Sequence, residues 1–136
     1  MRLSGSRVLL TGASRGIGAE LAVAFAAKGA SVALVARDSP ALHAVASSVG
    51  AVAYACDLSA LSSLEALVTR IEADGPVDIL VNNAGVSGVG WYLDRTIAEI
   101  EQVMTVNLLA PMHLCRLLLP LMLERGKGHV VNLSSM

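Results

Sequence analysis

Thr11-Gly12-Ala13-Ser14-Arg15-Gly16-Ile17-Gly18 is the first stretch of this sequence whose residue types and spacing imply chemistry. Glycines allow a tight turn and let backbone N–H groups approach a pyrophosphate, which the N-terminus of a following helix then stabilises. The pattern has that meaning only between a strand and a helix, and a plain structural turn is the competing interpretation. A second stretch, Val35-Ala36-Arg37-Asp38, closes the next apolar run. In dinucleotide folds an acid at this point binds a free ribose 2′-hydroxyl, whereas an arginine accommodates a 2′-phosphate. Arg37 together with Arg15 could clamp a phosphate through charge-assisted hydrogen bonds. Asp38 complicates the choice, because it stands 20 residues beyond Gly18, the distance expected of a ribose acid. The pair of arginines favours NADP(H), and NAD(H) stays open through Asp38.

Four further groups fall at the ends of apolar runs or on a helix. Asp57, in Ala55-Cys56-Asp57-Leu58, could accept a hydrogen bond from an adenine amino group. It or Ser59 could equally cap the next helix, and the two roles are compatible. Asn82-Asn83-Ala84-Gly85 offers amides that can bond neighbouring strands and a small-residue backbone against which a ligand can lie. Asn107 falls on the stripe Val103, Asn107, Ala110 and Leu114, which aims an amide at the packed face of a helix. A buried amide needs partners, and a core hydrogen bond to backbone is the simplest. Asn132-Leu133-Ser134-Ser135 puts hydroxyls at the end of the last apolar run, the edge at which open α/β sheets bind ligands.

Positioning these groups requires strand-length runs alternating with helix-period segments. Arg7–Thr11, Ser31–Ala36, Ala51–Ala55, Val77–Val81 and His129–Leu133 read as five strands. Ile17, Leu21, Phe25 and Lys28 repeat at helical spacing up to Gly29. Ser39-Pro40 starts a second helix and Gly50 stops it. Leu61, Leu64, Leu67, Val68 and Ile71 mark one face of a third, which Gly75-Pro76 ends. Thr96-x-x-Glu99 is a capping box for a long fourth helix that runs to Gly126. Such alternation implies right-handed crossovers and a parallel sheet with helices on both faces.

Composition agrees. The 136 residues fit one domain, 1–136, and are 54% hydrophobic but only 15% charged, as expected when strands are buried on both faces. The net charge of −1, without a basic block, argues against a nucleic-acid partner. No leader is expected at the N-terminus. The greasiest stretch, Leu114–Leu123, is interrupted by Arg116 and Pro120 and should fall short of a membrane span. Cys56 and Cys115 are expected as reduced thiols of a cytoplasmic protein. His43, His113 and His129 have no metal-ligand spacing, so no metal is expected.

Taken in order, T-G-x-x-x-G-x-G, the Cys-Asp-Leu turn, N-N-A-G, an Asn within a long helix and N-x-S-S resemble the short-chain dehydrogenase/reductase family, in its compact single-domain subgroup. The intervals also suit it, with 24 residues from Asn83 to Asn107 and 28 from Asn107 to Ser135. The resemblance covers the whole chain and corresponds to roughly the first half of a member. It implies a Rossmann-type doubly wound parallel sheet of order 3-2-1-4-5, truncated before its last strands. It implies that Gly12, Ser14, Arg15, Gly16, Ile17 and Gly18 line the cofactor phosphates, with Arg37 at the 2′-phosphate and Asp57 and Leu58 at the adenine. Asn83, Ala84 and Gly85 would lie along the cofactor. Asn107 and Ser135 would be two of four catalytic residues, Ser135 steadying a substrate carbonyl and Asn107 helping to hold a proton-relay water. The family's Tyr-x-x-x-Lys is absent, since neither Tyr54 nor Tyr92 has a lysine four residues on. The chain is thus expected to be an inactive part of a homo-oligomeric NADP(H)-dependent oxidoreductase acting on a small ketone or secondary alcohol. A non-catalytic dinucleotide-binding module is the alternative.

Overall fold

The computed structural model describes residues 2–88 and 90–134. Five parallel strands, β1 (Arg7–Thr11), β2 (Ser31–Ala36), β3 (Val52–Ala55), β4 (Ile79–Asn82) and β5 (His129–Asn132), form one sheet of order β3-β2-β1-β4-β5. The expected strand order is therefore the observed one. The helices are α1 (Gly16–Ala27), α2 (Pro40–Val49), α3 (Leu64–Ala73), α4 (Ile97–Met104) and α5 (Ala110–Glu124).

The apolar composition is explained by two cores, one on each side of the sheet. Alternate residues of a strand point to opposite faces. Val8, Leu10, Val32, Leu34, Ile79 and Val81 pack under α1 and α2 against Ala22, Leu42 and Ala46. Leu9, Val35 and Leu80 pack on the other side against Leu64, Leu67 and Ile71 of α3 and Leu114 and Leu118 of α5. The central strands β1, β2 and β4 are buried along almost their whole length, whereas the edge strands β3 and β5 are only partly covered.

Local signals explain most of the boundaries. Ser39 accepts from Leu42 N and precedes Pro40, and Gly50 closes α2 in the left-handed region at φ 64°. Thr96 and Glu99 form the reciprocal capping box at the start of α4. β4 begins two residues later than its apolar run suggests, because Val77 bonds to side chains instead of a strand. Its N–H donates to Glu72 Oε1 and its carbonyl accepts from Arg125.

The long helix departs furthest from expectation. Helical structure runs without a break over Ile97–Glu124, but Thr105–Leu109 is a π-helical turn joining α4 to α5. One extra residue in a turn rotates the helix on its N-terminal side by about 100° relative to the helix on its C-terminal side. The buried stripe consequently consists of Val106, Ala110, Leu114, Leu118 and Met122, and Asn107 is exposed instead of packed. The membrane expectation also needs correction. These 28 residues, with a mean hydropathy of 1.6 in their most apolar window, are long and apolar enough to cross a bilayer. In this fold Ala110, Leu114, Leu118 and Met122 instead belong to the core beneath the sheet.

Candidate functional site

The strand order reverses direction between β1 and β4, and open α/β sheets bind ligands outside the C-terminal ends of strands at such a point. Thr11, the last residue of β1, is 1% exposed and ties the two strands together. Its hydroxyl donates to Val81 O (3.3 Å) and accepts from the N–H groups of Asn83 and Ala84 (both 3.0 Å). The Asn83 amide answers by donating to Thr11 O (3.0 Å) and Gly12 O (3.2 Å). Asn83 therefore bonds the neighbouring strand and its glycine turn, as its amide suggests, and this donor is not free for a cofactor. The role of Thr11 was missed, although a lone hydroxyl ending an apolar strand ahead of a glycine was its visible signal.

Two glycines are required by this close approach. A Cβ on Gly12 would come within 2.7 Å of Ala84 Cα, and one on Gly18 would overlap the Gly12 carbonyl. Gly16 differs, with φ 55° and open space where a Cβ would be. Helix α1 starts there with Arg15 at its N-cap position, and no side chain among the described residues caps it. The first N–H groups of a helix need partners, and here they face the side on which Arg15, Gly16 and Ile17 are exposed. Ile17 is 65% exposed, an apolar side chain left bare beside an anion-seeking helix end. A cradle with a bare backbone, a free helix N-terminus and Arg15 fits the phosphates of a dinucleotide.

The residues expected at an adenosine lie at the ends of β2 and β3. Arg37 and Asp38 are exposed just beyond β2. Asp38 is engaged by His43 of α2, with Oδ1 2.8 Å from Nε2. Asp57 caps no helix. It accepts from the Ser59 N–H (2.9 Å) and hydroxyl (2.8 Å), and these two bonds, helped by the Arg37 charge, hold its carboxyl below the usual range. Leu58 has its side chain in the core under the sheet, so only its backbone is free to face an adenine.

On the other side of the crevice, Asn107 reaches from the π turn to the chain after Gly85. Its Nδ2 donates to Val86 O (2.9 Å) and its Oδ1 accepts from Val86 N (2.8 Å). The expected backbone bond exists, but on an exposed amide. Ala84 and Gly85 are held between this clasp and the Thr11 bonds. Asn82 and Asn132 are register partners on β4 and β5 and share a 2.8 Å amide bond. Among the described residues, Asn82 Oδ1 is buried without a partner. Val86, Ser87 and Gly88 also line a cavity of about 220 Å³ with Trp91 and Arg95. Ser135 lies outside the described residues.

The short-chain dehydrogenase family model matches residues 6–136. The ketoacyl reductase HetN of Nostoc sp. is 44% identical over 98% of this chain, which covers 49% of HetN. A fatty acyl-CoA reductase of Mycobacterium tuberculosis is 42% identical over 98% of the chain, covering 48% of that protein. The chain thus spans about half the length of these curated relatives. Among solved structures, a metagenomic short-chain oxidoreductase in complex with NADP superposes with a TM-score of 0.94 at 40% identity, over 100% of this chain and 65% of that one. Sequence and backbone agree along their whole common length, and the chain belongs to the short-chain dehydrogenase family.

Proposed function

We propose that this chain is the cofactor-binding part of an NADP(H)-dependent oxidoreductase that moves a hydride between the nicotinamide and the carbon of a ketone or secondary alcohol. The observation that carries this is the uncapped start of α1 beside exposed Arg15, with Arg37 at the end of the neighbouring strand β2. Three solved structures similar to this chain are complexes with NADP or NADPH, which supports the same cofactor here.

NADPH, when bound, supplies the hydride. The residues of this chain do the holding. Backbone N–H groups from Gly16 onward and the Arg15 guanidinium take the pyrophosphate, and Arg37 takes the 2′-phosphate. Asp57 and the Leu58 backbone meet the adenine. Asn83 keeps the glycine turn in shape, and the Asn107–Val86 clasp fixes the loop on which Ala84 and Gly85 lie along the cofactor. Ser135 steadies the substrate carbonyl by hydrogen bonding, which lowers the cost of the developing oxyanion charge.

The cofactor assignment is tested by Arg37→Ala in the enzyme as its gene encodes it. Losing one hydrogen bond to a charged group costs on the order of 1.5–3 kcal/mol, so NADPH affinity should fall roughly tenfold or more while NADH affinity stays near its starting value. Equal affinities for the two cofactors before mutation would assign the ribose to Asp38 instead.

A further inference from the structure

Asp38 stands beside Arg37 where an acid would select the opposite cofactor, yet the structure gives its carboxylate a partner. His43 belongs to α2, whose first turn is fixed by Ser39 at the N-cap and Pro40 behind it. Helical side chains lean toward the N-terminus, and His43 reaches back one turn to within 2.8 Å of Asp38 Oδ1. The Arg37 charge also acts on Asp57, the next carboxylate of this side of the site. We propose that His43 is a positioning residue for cofactor selectivity, holding the Asp38 carboxylate against α2 and away from the ribose so that Arg37 meets the 2′-phosphate unopposed.

The inference rests on the NADP(H) reading above and adds a residue to it. A carboxylate free to swing toward the ribose does two things at once. It accepts a hydrogen bond from the 2′-hydroxyl of NAD(H), and it repels the 2′-phosphate of NADP(H). Tethering Asp38 suppresses both effects, so releasing it should weaken NADPH binding while NADH binding holds or tightens. A general loss of structure would weaken both together. The His43 and Asp38 side chains are 59% and 76% exposed, so solvent screening keeps the effect modest.

Dissociation constants for NADPH and NADH, read from cofactor fluorescence on the enzyme as its gene encodes it, test this with His43→Ala, Asp38→Asn and the double variant. His43→Ala should lower the preference for NADPH roughly two- to fivefold, with NADPH weakened and NADH unchanged or tighter. In the Asp38→Asn background the same substitution should have no effect. An unchanged preference in His43→Ala, or both constants weakened by the same factor, would overturn the proposal. So would a shift that persists without the Asp38 charge, because His43 would then contact the phosphate itself. Failure of the NADP(H) reading is seen separately, as an Arg37→Ala variant that binds NADPH undiminished.

Discussion

The Thr11 hydroxyl satisfies two N–H groups and one carbonyl in a space that excludes water. Thr11→Val keeps the shape and removes the oxygen, leaving the Asn83 and Ala84 N–H groups without their acceptor. An unsatisfied buried donor costs about 1–3 kcal/mol, and chemical denaturation should show a loss of that order, with Thr11→Ser close to neutral. The Asn107 clasp is exposed, so its loss should be local. Asn107→Ala should speed amide hydrogen exchange at Val86, whereas Asn107→Asp, which keeps the accepting oxygen, should preserve protection there. Asp57 provides a pH test. Its folded pKa is depressed by the Ser59 bonds, so its stabilising contribution is complete above the ordinary carboxylate range. That contribution is lost as pH falls through the depressed value. Ser59→Ala removes the hydroxyl bond but keeps the backbone one, so the Asp57 titration, followed by NMR, should move upward only part of the way, and an unmoved midpoint would refute the hydroxyl's share.

Among the elements, the glycine turn works because α1 comes so close to the end of β1. Gly18 and Ala22 are the buried residues of α1, and both are small. Gly18→Ala would push a methyl group into the Gly12 carbonyl and the Asn83 amide. Overpacking of this kind costs about 1–3 kcal/mol, and it should also spoil the cradle, so cofactor affinity should fall together with melting temperature. At the opposite end of the sheet, Arg7 of β1 donates to Tyr54 of β3 and to the Ile71 and Gly75 carbonyls, and Tyr54 donates to Asp74 (2.5 Å). This network ties α3 to the strands without touching the site. Burial, then the bond to Asp74, raises the Tyr54 pKa.

At the scale of the molecule, two surfaces are uncovered. β5 is an edge strand of the sheet and carries no proline or lysine, two residues that commonly protect such edges. Leu108, Met112, Leu119 and Leu123 are exposed on the side of the long helix away from its buried stripe. The 136-residue polypeptide should therefore associate in solution, and light scattering after size exclusion should give masses above the monomer. Leu119→Glu with Leu123→Glu should reduce that association. A monodisperse monomer before mutation would contradict the expectation. The same polypeptide should consume no NADPH against a panel of ketones, because neither of its tyrosines has a lysine four residues on. Turnover abolished by Ser135→Ala would overturn that prediction.

The sequence by itself determined the order of strands and helices, the caps at Ser39 and Thr96, and the glycine turn. These arise from short-range periodicity and from φ and hydrogen-bond demands that a few neighbouring residues settle among themselves. It also placed Asn83, Arg37 and Asp57 at strand ends, since the end of an apolar run is visible without a partner strand. Tertiary structure alone decided what those groups bond to. Asn83 turns to Thr11 and Gly12, 72 and 71 residues away, and Asp38 turns to His43. The π turn was equally illegible, because regular 3.6-residue spacing put Asn107 with Val103 and Ala110. The inserted residue instead sends Asn107 to Val86, 21 positions back, and buries Val106 in its stead. That rotation depends on how Ala110, Leu114 and Leu118 seat beneath the sheet, a packing constraint that strand and helix signals along the chain do not carry.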